Sequence, residues 1–179
     1  TIPSEELADL ARLAEEHCTV PFVLSSFRGT PFYPSMLQRT RSMMLNYYQI
    51  DQFTRHTVSL LEDNGIDCIL LKGISLASCY PVPEYRKLGD LDLYISRKSD
   101  VSKAQKLLEA NGYIAENELS DHHLTYHYTF PKTGRKFLLE LHYRVVGMYQ
   151  YERANEIVNQ VYSFENLVPV SQTINDFTY

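Results

Sequence analysis

Gly89-Asp90-Leu91-Asp92-Leu93-Tyr94-Ile95 is the stretch on which the fold turns. Leu91, Leu93 and Ile95 occupy alternate positions, the period of a β-strand, whose successive side chains point to opposite faces. Asp90 and Asp92 fall on the other face, roughly 6–7 Å apart. At that separation two carboxylates can share hard cations, which take oxygen ligands. An Asp-x-Asp alone is common and specifies little. Its meaning depends on what else the chain brings to that face.

Downstream, residues 135–143 repeat the alternation. Phe137, Leu139, Leu141 and Tyr143 form one face, and Leu138, Glu140 and His142 the other. Glu140 is a lone acid among apolar residues on a strand that reads as central. Burying an unpartnered carboxylate is costly, so a metal ion or another cation is expected beside it. If this strand lies next to residues 91–95, Glu140 joins Asp90 and Asp92 in a cage of three carboxylates. His142 shares that face, either as a hydrogen-bonding support or as a direct participant. Residues 113–119 and 124–130 read as further strands. Pro131-Lys132-Thr133-Gly134 turns the second of these into a hairpin with residues 135–143.

Upstream, residues 67–71 form a short apolar strand that runs into Lys72-Gly73-Ile74-Ser75 and a brief helix ending near Tyr80. A strand that enters a glycine turn and a helix start leaves backbone N–H groups able to receive phosphate. Lys72 adds positive charge and Ser75 a hydroxyl. No full P-loop pattern is present, so the sequence does not support a kinase-like or ATPase reading.

The rest of the chain reads as flanking structure. Leu7, Leu10, Ala11 and Ala14 recur at helical spacing after a helix start near Ser4. Residues 20–34, with Pro21, Gly29, Pro31 and Pro34, read as an irregular connector. Residues 35–64 hold no glycine or proline and read as one long helix or two joined by a bend, stopped by Gly65. Leu37, Met44, Leu45, Tyr48, Leu60 and Leu61 supply its apolar positions, and Arg39, Arg41 and Arg55 its wet face. Residues 103–111 and 151–164 are helical, and 168–170 extended. Residues 171–177 resemble a first helical turn capped by Ser171, so the chain reads as a fragment of a longer protein. The expected organisation is a helical region over 1–64, a domain over 65–170 and the start of a C-terminal helical region over 171–179.

Composition bounds the function. The chain has 179 residues, 44% hydrophobic and 22% charged, the balance of a soluble globular protein with one domain and room for an extra helical element. No apolar run is long enough to span a bilayer, and residues 1–6 lack the features of a signal peptide. A cytoplasmic location is the default expectation. A net charge of −5 gives no domain-wide attraction for nucleic acid. The 14 tyrosines, with no tryptophan, read as packing residues. Three cysteines without a CxxC spacing argue against a disulfide framework or a zinc site. His122, His123 and His127 lack a zinc spacing with cysteine and are expected to be solvated or packed.

Taken in order, Leu71-Lys72-Gly73, Tyr80-Pro81, Tyr85-Arg86, Gly89-Asp90-Leu91-Asp92-Leu93, Gly112-Tyr113 and Glu140-Leu141-His142 resemble the uncharacterised bacterial nucleotidyltransferases. These belong to the DNA polymerase beta-like superfamily and are related to abortive-infection toxin nucleotidyltransferases. The resemblance covers about residues 65–143. It implies an α/β (α+β) fold with a mixed sheet flanked by helices, behind the N-terminal helical layer. It implies Mg²⁺ or Mn²⁺ on Asp90, Asp92 and Glu140, and phosphate contacts at Lys72, Gly73 and Ser75. It also implies transfer of a nucleoside monophosphate from a nucleoside triphosphate by two-metal in-line displacement. Glu140 is the candidate for deprotonating the acceptor. Lys72 and Arg86 would neutralise the leaving pyrophosphate, although Arg86 has Asp90 or Glu84 as structural alternatives. The acceptor stays open among a small molecule, a peptide, a protein side chain and a tRNA end. Two departures stand out: Lys-Gly-Ile-Ser replaces the superfamily's Gly-Ser turn, and the family's helical C-terminal portion is largely missing. The rival reading is a catalytically inactive nucleotide-binding or protein-interaction module.

Overall fold

The computed structural model describes residues 3–95, 97–117, 120–163 and 166–178. In chain order the elements are α1 (Ser4–Glu16), α2 (Val20–Val23), α3 (Tyr33–Glu62), β1 (Cys68–Leu70), α4 (Ile74–Ala77), β2 (Leu91–Ile95), α5 (Lys98–Ala110), β3 (Ile114–Ala115), β4 (His123–Thr129), β5 (Lys136–His142), α6 (Glu152–Val161), β6 (Thr173–Ile174) and β7 (Phe177–Thr178). They form two compact units: residues 1–49 with 76–88, and residues 50–75 with 89–179. Residues 50–64, grouped on sequence with the N-terminal helices, thus pack with the sheet.

The first unit is helical. Residues 20–34 are more regular than expected, holding α2 and a 3-10 turn at Leu24–Phe27. Pro21 sits in the first turn of α2, where its missing N–H costs nothing. Ala11, Ala14, Val20, Phe27 and Met36 form the unit's small core. Residues 80–88 are tied to α3 by Tyr48, which donates to Glu84 Oε1 (2.6 Å), and by Asn46, which donates to the Leu88 carbonyl (2.7 Å).

α3 is continuous for 30 residues. Its buried stripe is Met36, Thr40, Met43, Tyr47, Ile50, Thr54, Thr57 and Leu61, a 3–4 spacing that admits threonine because its hydroxyl can bond the preceding turn. Thr54 donates to the Ile50 carbonyl (2.8 Å) and Thr57 accordingly to that of Phe53 (2.9 Å). Leu45 and Tyr48, assigned to the apolar face on sequence, are exposed. The helix ends in a Schellman motif: Ile66 N–H bonds the Leu61 carbonyl and Gly65 N–H that of Glu62. Gly65 takes φ +68°, and Ile66 is delivered into the core. α5 ends the same way through Gly112 and Tyr113.

In the second unit the sheet order is β1-β2-β5-β4-β3. Only β2 and β5 are parallel; the other pairs are antiparallel. This is the expected mixed α/β sheet flanked by helices. β2 is buried along its whole length, so both of its faces are covered. On one face, Phe53 of α3 stacks on Phe137 (4.9 Å between ring centres) and Tyr128 (5.9 Å), with Tyr113 on Tyr128 at 4.5 Å. Tyr113 and Thr57 share a buried hydroxyl bond of 2.8 Å.

Several expected elements differ in extent. α5 starts at Lys98, a turn earlier than residue 103, and β3 keeps only two residues of the strand expected over 113–119. The end of that span, at Glu118 and Leu119, lies outside the described residues, as does Phe164 at the end of the helix expected over 151–164. The helical turn expected after Ser171 is instead the β6–β7 hairpin. Asn175 (φ +47°) and Asp176 (φ +65°) form its two-residue turn, a conformation that short polar side chains tolerate. Arg55 is part of this structure and not a free wet-face residue. It pairs with Asp51 (3.0 Å) and donates to the Ile174 carbonyl (2.9 Å).

Candidate active site

The parallel pairing of β2 with β5 decides the site. Its register places Asp92 opposite Glu140 and Tyr94 opposite His142. β4 extends the same face, with Thr125 opposite Glu140 and His123 opposite His142. Side chains directly opposite in a sheet share a face, so Asp92, Glu140, His142 and His123 converge while the leucines between them build the core.

Asp92 is the centre of the group, and its side chain is 0% exposed. Lys72 donates to its Oδ1 (3.0 Å), as does His142 Nε2 (3.2 Å). The same Nε2 lies 3.3 Å from Glu140 Oε2. Lys72 also reaches Asp90 Oδ2 at 3.7 Å. Burial pushes the Asp92 carboxyl up, but the bonds from His142 and Lys72 outweigh it and hold the group below the usual carboxylate range. Glu140 moves the other way, pushed up by burial and by the Asp92 and Asp90 carboxylates. Burial opposes the charge on Lys72, yet Asp92, Asp90 and Glu140 keep its ammonium above the ordinary value. One carboxyl is thus firmly ionised beside a second that retains its proton more readily.

The Lys72 position depends on local backbone. β1 ends at Leu70, and Leu71 N–H bonds the Asp92 carbonyl (3.2 Å). Gly73 then takes φ +68°, with its Cα facing the Asp90 carbonyl so that an added Cβ would sit 3.6 Å from that oxygen. Any other residue would be strained there by its backbone alone. Ser75 Oγ donates to the Lys72 carbonyl (3.2 Å). α4 has four residues, so its dipole is short and the charge at this turn comes mainly from Lys72.

The sequence-derived residues are therefore partly gathered. Asp90, Asp92, Glu140, His142 and Lys72 meet, with Gly73 and Ser75 holding the turn. The ligand atoms that lie within 4.8 Å of one another are those of Asp92, Glu140 and His142; Asp90 joins them through Lys72. Arg86 belongs to the first unit, where its guanidinium lies over the Tyr80 ring at 5.8 Å. His127 pairs with Glu116. His122 and His123 are packed, as one of their two expected settings had it: their rings lie 5.5 and 5.1 Å from that of His142. Hairpin register contains that signal. Once residues 129 and 136 pair across the turn, counting back pairs 123 with 142.

The donor set suits a divalent cation. Asp92 Oδ2 is buried with no hydrogen-bond partner among the described residues, an expensive state for a carboxylate oxygen and a ready ligand for a hard ion. No helix among the described residues is long and apolar enough to cross a membrane. No curated protein and no solved structure matches the chain. A family model does match, and over residues 3–171, so it takes in the N-terminal helices as well as the sheet. The chain belongs to the family described as uncharacterised nucleotidyltransferase.

Proposed function

We propose that this chain is a metal-dependent nucleotidyltransferase that moves a nucleoside monophosphate from a nucleoside triphosphate to an acceptor hydroxyl or phosphate. The observation that carries the reading is the buried Asp92 carboxylate, with an unpartnered Oδ2, opposite Glu140 and beside Lys72. In the reaction an acceptor oxygen bonds the α-phosphorus, the bond to the bridging oxygen breaks, and pyrophosphate leaves.

Asp90, Asp92 and Glu140 would hold Mg²⁺ or Mn²⁺. Bound there, such an ion supplies neutralisation of phosphate charge and alignment of the attacking and leaving oxygens. Glu140, whose carboxyl is pushed up, is suited to take the proton of an acceptor hydroxyl. His142 bonds Asp92 through Nε2 and places the same nitrogen 3.3 Å from Glu140 Oε2, which keeps the two carboxyls aimed at one point. Lys72 has a half-exposed side chain and can carry its charge from Asp92 to the triphosphate. Gly73 and Ser75 shape that turn, and Arg86 is assigned to the phosphates on the resemblance alone. The acceptor, whether small molecule, peptide, protein or tRNA end, is left to experiment. A cavity of about 620 Å³, lined by Tyr94, Lys98, Gln105, Tyr143 and Asn159 among others, lies at the carboxyl ends of β2 and β5. Tyr94 lies two residues beyond Asp92 on the same face of β2, so this volume can take an uncharged part of a substrate.

The test is a thermal melt with each of the four ribonucleoside triphosphates, with and without Mg²⁺. A ligand at a hundredfold its Kd adds ~2.7 kcal/mol of stability. A Mg²⁺-dependent rise with the parent chain that disappears in Asp92→Asn is expected. Equal responses of parent and variant, or no response from either, would overturn the assignment and favour the inactive-module reading.

A further inference from the structure

Three imidazoles meet at the start of β4 and the end of β5. One ring nitrogen from each of His122, His123 and His142 lies within 4.8 Å of one from each of the others. His122 Nε2 and His123 Nδ1 face each other at 2.9 Å. Beyond proximity, the rings are oriented from behind. Asp121 Oδ1 lies 2.8 Å from His122 Nδ1, so a proton held there turns the Nε2 lone pair toward the other two rings. Asp121 is itself fixed by Met148 N–H, which donates to its Oδ2 (2.9 Å). The Gly147 backbone lies against the pair: a Cβ there would sit 3.3 Å from Asp121 Oδ1. On His142, Nε2 carries the proton it donates to Asp92. A cation that takes Nε2 displaces that bond, and the Arg144 carbonyl, 3.4 Å from Nδ1, can accept a hydrogen bond from the proton on the other side of the ring.

A carboxylate behind a histidine is how ligating imidazoles are commonly held in one tautomer. Three neutral nitrogens suit zinc, copper or nickel ions, whereas magnesium and calcium select oxygen. We propose that His122, His123 and His142 form a binding site for one borderline divalent cation of the Zn²⁺ class, oriented by Asp121 and separate from the oxygen-rich position at Asp90 and Asp92. The two positions share the neighbourhood of His142. The proposal does not depend on nucleotide transfer, since it rests on the imidazoles alone.

Zn²⁺ titration of the full chain by calorimetry, in excess Mg²⁺ to fill the oxygen ligands, tests it. One equivalent is expected to bind. Asp121→Asn should weaken binding by about 10–100-fold, the usual effect of losing a carboxylate behind a ligating histidine, and His122→Gln with His123→Gln should abolish it. Asp90→Asn should leave it unchanged. Loss of Zn²⁺ binding in Asp90→Asn with retention in the histidine variant would put the ion among the carboxylates and overturn the proposal, as would no binding by the folded parent. Co²⁺ absorption of the unmodified chain gives a readout independent of variant folding. Intense visible bands of a four-coordinate nitrogen site support the assignment, and the weak bands of six oxygen ligands refute it.

Discussion

The two faces of β2 and β5 are built from alternating residues of the same strands, yet they obey opposite rules. On one face Leu91, Leu93, Leu139 and Leu141 are buried in an apolar layer that continues into Phe137, Tyr128 and Phe53. On the other, buried Asp92 and His142 meet a half-buried Glu140, and Asp92 keeps an oxygen with no partner among the described residues. The first face gains stability from burial; the second spends it on placing charge. Because the strand period is two, a register slip of one residue would exchange the two sets, so the apolar face is also what aims the acids.

Removing Phe53 should break this comparison most severely. Phe53→Ala takes away the ring on which Phe137 and Tyr128 stack, and an aromatic-to-alanine change in a core costs about 3–5 kcal/mol. Chemical denaturation is expected to show that loss, and the acids should lose their alignment with it. A loss below about 1 kcal/mol, the scale of an ordinary substitution, would mean the apolar layer does not hold the register.

Glu140→Gln should act with the opposite sign. In the folded chain the Glu140 carboxyl holds its proton more firmly than the ordinary value of 4.5 implies. The stability it contributes is therefore full below that value and is lost as pH rises through the folded one. Glutamine is neutral at every pH and keeps a donor toward Asp92. Without metal at neutral pH, its melting temperature should exceed the parent's by roughly 2–4 °C, the shift that ~1 kcal/mol gives in a domain of this size. Mg²⁺ should then stabilise the parent and not the variant. A variant that melts below the parent at neutral pH and equals it at acid pH would show that the polar face carries no such cost.

The smallest effect is expected at the sheet edge. Ile114 of β3 is 69% exposed, and Ile114→Thr, which keeps a β-branched side chain, should change stability by no more than about 0.5 kcal/mol. A larger change in the same denaturation assay would mean that the edge strand is covered in solution.

Much of this was legible from spacing. The alternation at 91–95 and 135–143, the hairpin between β4 and β5, and the glycines that stop α3 and α5 all follow from local rules, and the structure repeats them. The adjacency of β2 and β5 could be posed only as a condition, because no local signal pairs strands so far apart in sequence. The packing of His122 and His123 against His142 escaped the sequence for a related reason: it comes from register across a hairpin and not from local spacing. The stripe on α3 differs from the expected one because Thr40, Thr54 and Thr57 look polar in sequence yet are buried, the hydroxyls of Thr54 and Thr57 bonding the helix itself. At 171–177 the Asn175-Asp176 pair, a hairpin signal, was outweighed by a serine that looked like a cap. The parts taken from resemblance, namely the metal, the phosphate contacts and Arg86, are proposals still.

The lone parallel pairing in the sheet also orders events in time. β4 and β5 are joined by residues 130–135 alone, whereas β2 reaches β5 only after α5, β3 and β4. Closing the shorter loop costs less entropy, so the hairpin forms early and β2 docks onto it late. On that order Asp92 and Glu140 are expected to meet late, with their repulsion contributing little to the folding barrier. Relieving it by Glu140→Gln should slow unfolding and leave the refolding rate unchanged, so that the charge gathered at the site governs how long the folded chain lasts and not how quickly it is made.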